Sequence, residues 1–405
     1  MKTTRNLDSN NCRKFYTVRW YKMKYFGDQK DILNNKLTDV YFRRTADILH
    51  KLNKNPYVIM EIACGNLPQD YQWGVLCGLE EFLLTLKGKN VDVEGLKEGS
   101  LFFEDEPILT IKGHYMDFGM LETPLLGFIC QASGIATKAA RCRIAAGDRT
   151  LLSFGARRMY PLLSPMIDRS AFIGGMDGVS VIKSAEVLNE KPKGTMPHAL
   201  ILIMGDTVKA AKAFHKYTDK DINRVVLIDT FLDEKIETLR VADELKDKLF
   251  AVRVDTPSSR RGNLLKICRE LRWELDTRGY TNIKIFVSGG IDEKKILELN
   301  PFVDSYGVGT SVSNAHTIDF SMDIVSIEGK PLSKRGKMSG EKKIFECPSC
   351  GNRLVVPYKQ ETLKCDCGAT MEPITSSLMT EGKKEESLPP QKIREFVLSQ
   401  LANLQ

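Results

Sequence analysis

From residue 150 onward, short apolar runs alternate with amphipathic segments, and the runs end in polar or glycine residues. The runs are Leu151–Ala156, Val179–Ile182, Ala199–Met204, Val225–Ile228, Phe250–Val254, Ile283–Val287 and Ser305–Val308. The intervening segments read as helices, such as Asp233–Leu249 and Gly262–Arg278, where Leu264, Leu265, Ile267, Leu271 and Leu275 share one face. About seven βα-like units predict a parallel sheet closed, or nearly closed, into an α/β barrel. A doubly wound open sheet is the competing arrangement, and a strand count does not exclude it.

In a parallel barrel every strand's C-terminal end opens on one face, where active sites form. The ends here read Arg157-Arg158, His198, Asp229-Thr230, Asp255-Thr256, Ser288-Gly289-Gly290 and Gly309-Thr310-Ser311. The last two are small and glycine-rich. Consecutive backbone N–H groups with no Cβ in the way, completed by a helix start and a hydroxyl, can cradle a phosphate. Barrels often place phosphate at their last two strands. One such loop could be only a tight turn; two adjacent ones favour phosphate over Ser288, Gly289, Gly290, Gly309 and Thr310. Strand alternation puts Arg253 and Asp255 on the same side, which a barrel interior accepts only if they pair or meet a polar ligand.

Other strand ends carry further chemistry. Phe154 lies near Arg157 and Arg158, and an aromatic face beside guanidiniums suits a planar aromatic acid. Taken alone, such arginines more often meet surface carboxylates. His198, in Gly194-Thr195-Met196-Pro197-His198, reads equally as a hydrogen-bonded core histidine or as a rim residue. The loop Asp255–Gly262 could hold a sugar hydroxyl through Asp255 and an anion through its arginines, or simply start a helix with serine caps. Cys347, Cys350, Cys365 and Cys367 have zinc-ribbon character, two close pairs that can give an S4 site, although the second pair has one intervening residue. The other six cysteines are scattered, as in a reducing compartment.

The rest of the chain has a different texture. We read residues 1–30 as a disordered basic extension, 31–135 as an N-terminal α/β domain and 136–319 as the barrel. Residues 320–345 return to the N-terminal domain, 346–375 form the ribbon-like module and 376–405 a tail ending in a short helix. Within 31–135, Asp39–Leu52 and Gln72–Leu86 read as helices, with strand-like pieces at Leu101–Phe103 and Ile108–Ile111. The formal net charge is +7, but six basic residues against Asp8 within residues 1–22 leave the remainder nearly neutral. A uniformly basic nucleic-acid-binding body is therefore not supported. Residues 1–22 lack the apolar core of a secretory signal, and a true start at Met23 would make them an upstream extension. Leu121–Ala136 is the stretch nearest to a membrane span, and Gln131 and Ser133 interrupt it. The basic loop Lys330–Lys343 reads as a solvated charge run.

Eight segments occur in order: Ser133–Ala139, SFGARR at 153–158, DRSAFIGGMDGVS at 168–180, GTMPH at 194–198, LIDTFLDE at 227–234, VDTPSSRRGN at 254–263, VSGGID at 287–292 and GVGTS at 307–311. This order resembles the nicotinate phosphoribosyltransferases of the archaeal type that carry a C-terminal cysteine ribbon. The resemblance covers about residues 31–375. It implies an incomplete parallel α/β barrel of the type II phosphoribosyltransferase kind, with an N-terminal α/β domain and a small zinc ribbon. It also implies synthesis of nicotinate mononucleotide from nicotinate and phosphoribosyl pyrophosphate in cytoplasmic NAD salvage, by a homo-oligomer with shared active sites and without nucleic-acid or membrane partners.

By the same resemblance, the partner copy's Tyr41 stacks on nicotinate opposite Phe154, Arg157 holds its carboxylate or ring edge, and Asp177 lines the pocket near the ring. Arg253 and Lys138 bind substrate. His198, Asp229 and Asp255 are the catalytic set, with Asp229 and Asp255 serving the ribose hydroxyls or Mg2+-pyrophosphate. Zn2+ fills the four-cysteine site. ATP is an optional co-substrate acting through phosphorylation of His198; a polar or acidic residue often follows that histidine in the family, whereas Ala199 follows it here. Quinolinate phosphoribosyltransferase is the nearest alternative, sharing the fold but needing basic groups for a second carboxylate. A barrel aldolase or isomerase would need a Schiff-base lysine or an acid/base pair at strand ends, and no strand end offers a lysine. A non-enzymatic zinc-ribbon nucleic-acid module is the remaining alternative.

Overall fold

The computed structural model describes residues 25–260 and 262–404. The basic stretch 1–22, Cys12, Met23 and Arg261 lie outside the described residues. The first described helix, Gln29–Leu33, is closed by a capping box from Asp28.

Six parallel strands form the barrel half: β1 (Thr150–Ser153), β2 (Gly178–Val179), β3 (Val225–Leu227), β4 (Ala251–Val254), β5 (Lys284–Ser288) and β6 (Ser305–Val308). Their order in the sheet is β2-β1-β6-β5-β4-β3. Neighbouring strands are consecutive in the chain, except that the last strand, β6, closes onto the first, β1. That cyclic order belongs to a barrel and excludes a doubly wound sheet, whose order reverses at a switch point. Only the contact between β2 and β3 is missing, so the barrel is open along one seam.

The seam has a cause in the sequence. The apolar run Ala199–Met204, expected as a strand, lies within a helix, His198–Met204. A six-residue apolar run fits either state by periodicity alone. Here Pro197 precedes the helix and Gly205, in the left-handed region, ends it. No strand is left between β2 and β3 to complete the circle.

The N-terminal half is a seven-stranded antiparallel sheet. Its order is 330–331, 320–327, 57–64, 107–114, 91–95, 376–380 and 383–384. Residues 376–384, read from sequence as part of a tail, thus supply two strands, and the terminal helix is Pro390–Ala402. Gln72–Leu86 is helical only over Leu79–Leu86.

The two halves share α1 (Glu122–Ala146, 25 residues). Its Leu125 and Ile129 belong to the N-terminal core, while Ile135, Ala139 and Cys142 belong to the barrel core. The boundary expected at 135/136 therefore falls inside one continuous helix. The next helix, α2 (Ser164–Ile173), carries buried Arg169, whose guanidinium donates to both oxygens of Glu98 at 2.7 and 2.9 Å. Glu98 also accepts from Gly78 N, so one buried carboxylate ties the barrel to the N-terminal half.

The cysteine module is a three-stranded antiparallel sheet of 342–346, 353–357 and 372–373. Ion pairs of low exposure dock it: Lys342 with Glu61, Lys112 with Glu341, and Arg353 with Glu106. No helix among the described residues is long and apolar enough to cross a membrane.

Candidate active site at the barrel rim

The C-terminal strand ends enclose a cavity of about 400 Å³. Phe154, Arg157, Arg253, Asp255, Ser288, Gly289, Gly290, Gly309 and Thr310 all line it, as the strand-end argument expected.

Arg253 organises the floor. Its side chain donates to Ser288 Oγ at 2.9 Å and Thr195 Oγ1 at 2.7 Å, and pairs with Asp255 at 3.1 Å. Ser288 Oγ in turn donates to Asp255 Oδ1 at 2.7 Å. The Arg253 guanidinium also lies 5.4 Å from the centre of the Phe154 ring. Burial lowers the Arg253 pKa, against which Asp255 and Asp229 act. Arg253 and Asp255 are thus partners in a closed network, and the hydroxyl of Ser288 is spent inside it.

Phe154 needs a glycine beneath it. A Cβ built on Gly307 would lie 2.5 Å from the Phe154 ring, so only glycine on β6 lets the ring settle against the sheet. Gly289 and Gly290 both sit at positive φ, +84° and +69°, turning the chain after β5 so that the loop backbone lines the cavity. Thr310 opens a short helical turn after Gly309.

His198 stands at the start of its helix. Its Nδ1 shares a 2.9 Å hydrogen bond with Thr230 Oγ1, and its Nε2 lies 4.0 Å from both the Asp229 and Asp255 carboxylates. The Asp229 side chain is 2% exposed, and neither of its oxygens has a hydrogen-bond partner among the described residues. Burial raises its pKa; His198 opposes this and Asp255 adds to it. A buried carboxylate with two unpartnered oxygens, facing an imidazole and a second carboxylate, is arranged to receive a cationic or polyhydroxylic ligand.

Two residues expected at the site, Asp177 and Lys138, lie elsewhere in this chain, while Tyr41 is expected there only from a partner copy. Asp177 precedes β2, at the opposite end of the barrel, where Arg143 and Arg394 each approach its carboxylate to 2.5 Å and Leu151 N donates to it. Ser180, which follows β2, is the residue of that segment that lines the rim. Lys138 is held by Glu293 at 2.6 Å and lines a separate cavity of about 330 Å³ that shares Thr310 with the rim. Tyr41 is exposed on the helix Val40–Lys51 and does not line the rim of its own chain. Asp292 caps the helix after β5, and Asn263, rather than a serine, caps the helix after β4. Lys193 and Thr195 also line the rim without having been singled out from sequence. The signal available for Lys193 was a cation directly before the GTMPH segment.

The four ribbon sulfurs all lie within 4.8 Å of one another, with Cys347 and Cys367 at 3.4 Å and Cys350 and Cys365 at 3.5 Å. Bonds of roughly 2.3 Å to a shared ion require such spacing. Burial raises the Cys347 thiol, but the backbone amides of Cys350 and Ser349 outweigh it and hold the thiol at about 6, favouring the thiolate a metal needs. The cluster can therefore hold a metal ion.

Residues 39–133 match the family model described as the quinolinate phosphoribosyl transferase N-terminal domain, and residues 135–323 match its C-terminal domain. A nicotinate phosphoribosyltransferase of Bacillus subtilis (strain 168) is 32% identical over 71% of this chain and 63% of its own length. The chain thus spans less than two thirds of that relative. A crystal structure titled nicotinate-nucleotide pyrophosphorylase, from Pyrococcus furiosus, is 48% identical, covers 95% of this chain and 100% of its own, and superposes with a TM-score of 0.92. The human nicotinic acid phosphoribosyltransferase structure shares the fold at a TM-score of 0.73 and 20% identity, over 91% of this chain and 94% of its own. The chain belongs to the phosphoribosyltransferase family built from these two quinolinate phosphoribosyl transferase domains.

Proposed function

We propose that the protein is a nicotinate phosphoribosyltransferase, joining nicotinate to phosphoribosyl pyrophosphate to make nicotinate mononucleotide and pyrophosphate in cytoplasmic NAD salvage. The observation that carries this reading is the composition of one cavity: an aromatic face at Phe154, free guanidiniums at Arg157 and Arg158, the Asp255 carboxylate and two glycine loops, with His198 and the buried Asp229 set just behind Asp255. Among the described residues neither Arg157 nor Arg158 is within ion-pair distance of a carboxylate, which leaves both for ligand anions. Similarity to the Bacillus subtilis nicotinate phosphoribosyltransferase supports nicotinate as the acceptor.

In this reading the ring nitrogen of nicotinate attacks C1 of the ribose as the bond to pyrophosphate breaks, through a sugar of oxocarbenium character. Asp229 and Asp255 stabilise the positive sugar carbon and its hydroxyls from one side. Phe154 fixes the plane of the acceptor, and Arg157 its carboxylate. Gly289, Gly290, Gly309 and Thr310 hold the 5′-phosphate. Mg2+ brought with the pyrophosphate would offset the charge that leaves with it, and Asp229, with both oxygens unpartnered among the described residues, would help hold that cation-bearing group. The nitrogen lone pair needs no general base, so His198 acts on the phosphoribosyl side, and any coupling to ATP runs through its Nε2.

The same proposal includes a homo-oligomer with shared sites. Val40, Tyr41, Ile48 and Leu52 leave an apolar face of the N-terminal half exposed, and Leu202 and Ile203 do the same beside His198. A second copy bringing Tyr41 over the rim would cover both patches.

The test is an acceptor panel with phosphoribosyl pyrophosphate and Mg2+, offering nicotinate, quinolinate or nicotinamide, with and without ATP. Nicotinate mononucleotide from nicotinate is expected. Product only from quinolinate, with release of CO2, would move the chain to the sister activity, and equal rates with nicotinamide would remove the acid-selective reading.

Zn2+ is the metal we assign to Cys347, Cys350, Cys365 and Cys367, as a structural ion that cross-links the module. Metal analysis should return about one zinc per chain. Cys350→Ser is expected to lower both zinc content and the melting temperature while leaving kcat unchanged; full zinc occupancy in that variant would refute the ligand set.

A further inference from the structure

The barrel's open seam brings a cation to the site. Lys193 lies in the segment between β2 and β3, and its backbone N–H donates to Val179 O at 2.8 Å, so the segment is registered on the end of β2. Its stem is held as well. A Cβ built on Gly178 would sit 2.6 Å from Lys193 Cγ, so the glycine at the start of β2 makes room for the aliphatic chain to lie against the strand. Lys191, two residues earlier, is taken by Asp221 at 2.6 Å. Among the described residues no carboxylate lies within ion-pair distance of the Lys193 ammonium, although the side chain is exposed and faces a cavity.

Two cavities distinguish what that ammonium would meet. Lys193 lines the rim cavity and also a smaller one of about 170 Å³, which takes in the strand starts Val225, Ala251 and Ser305 and so lies beneath the rim. The smaller cavity is floored by Leu152 and Phe286, which pack with Phe154 in one apolar cluster. Gly289, Gly290 and Gly309 line only the larger one. Lys193 therefore spans from the rim cavity down to the apolar cluster that supports Phe154, a cluster the glycine loops do not reach.

We propose that Lys193 is a specificity-determining residue, the seam-side cation that meets the carboxylate of the aromatic acceptor. The inference rests on the phosphoribosyl-transfer reading above and refines it. Arg157 and Arg158 approach from the β1 loop, whereas Lys193 approaches from beyond β2, so the single carboxylate of an acid held on Phe154 can be met from two sides. A neutral amide acceptor would leave the ammonium without its anion.

The experiment is steady-state kinetics on the full chain, varying nicotinate at saturating phosphoribosyl pyrophosphate and the reverse. Lys193→Met keeps an unbranched stem over Gly178 and removes the charge; Lys193→Arg restores it. We expect Lys193→Met to raise KM for nicotinate by about tenfold or more, the usual scale of a lost charged hydrogen bond. KM for phosphoribosyl pyrophosphate should stay unchanged, discrimination against nicotinamide should fall in parallel, and Lys193→Arg should recover most of the loss. A raised KM for phosphoribosyl pyrophosphate with that for nicotinate unchanged, or no change in either, would overturn the inference alone. No product from nicotinate with the unaltered protein would overturn the underlying reading and this inference with it.

Discussion

Asp229→Asn is expected to cost about 10²–10³-fold in kcat, the scale of losing one preorganised charge at a developing transition-state charge, and to raise the melting temperature. Both effects come from one fact: the carboxylate is nearly inaccessible and has no hydrogen-bond partner among the described residues. An ionised group in that setting destabilises the free protein and becomes useful only when a cationic sugar or a cation-bearing pyrophosphate arrives. The pH dependence has a definite sign. Burial first, and Asp255 next among the raising influences, lift the folded-state pKa above the ordinary carboxylate value. Between those two values the folded chain keeps a proton that the unfolded chain has lost, so stability falls as pH rises through that window. The melting-temperature gap between variant and unaltered protein should therefore be small in acid and largest at neutral pH. A variant with unchanged kcat would remove Asp229 from the chemistry; one that is less stable at neutral pH would contradict the electrostatic account.

Arg169→Met is expected to cost about 3–5 kcal/mol of stability, the usual penalty for stranding one member of a buried ion pair. Its partner Glu98 is 8% exposed and would be left as an uncompensated carboxylate between the two halves of the protein. Burial pushes the Glu98 pKa up, but the bonds from Arg169 outweigh it and hold it below the ordinary range. That contribution is present above the unfolded-state pKa and is lost as pH falls through the folded one. Adding Glu98→Gln should recover much of the loss, because the amide oxygen can still accept from Gly78 N while the stranded charge is gone. Calorimetric or urea unfolding of the single and double variants checks this; additive losses would mean that the pair is not the source.

Much of the site was legible because strand ends announce themselves. Phe154, Asp229, Asp255 and the glycine loops each follow an apolar run, and a parallel barrel carries all such ends to one face. Legibility failed where direction along a short element decided the outcome. In Asp177-Gly178-Val179-Ser180 the strand is two residues long, and nothing in four letters says which flank faces the rim. The structure puts Ser180 there and commits Asp177 to two arginines at the other end. Ala199–Met204 failed for a related reason, since six apolar residues suit a buried strand and a capped helix equally. Strand 376–380 was missed because its partner, strand 91–95, is remote in sequence and no local pattern encodes that pairing.

The helix α1 carries a consequence for how such proteins can be divided. The two matched domain models meet at residues 133 and 135, within Glu122–Ala146. At that point a Cβ on Gly134 would lie 2.1 Å from the carbonyl oxygen of His316, so the helix is pressed against the chain that returns from the barrel. Cutting at the sequence boundary would split one hydrogen-bonded rod and strip an apolar face from each core. The halves are modules in the bookkeeping of homology but a single mechanical body, which disfavours hinge bending across α1 and means that neither half can be exchanged for a foreign one without carrying the whole rod with it.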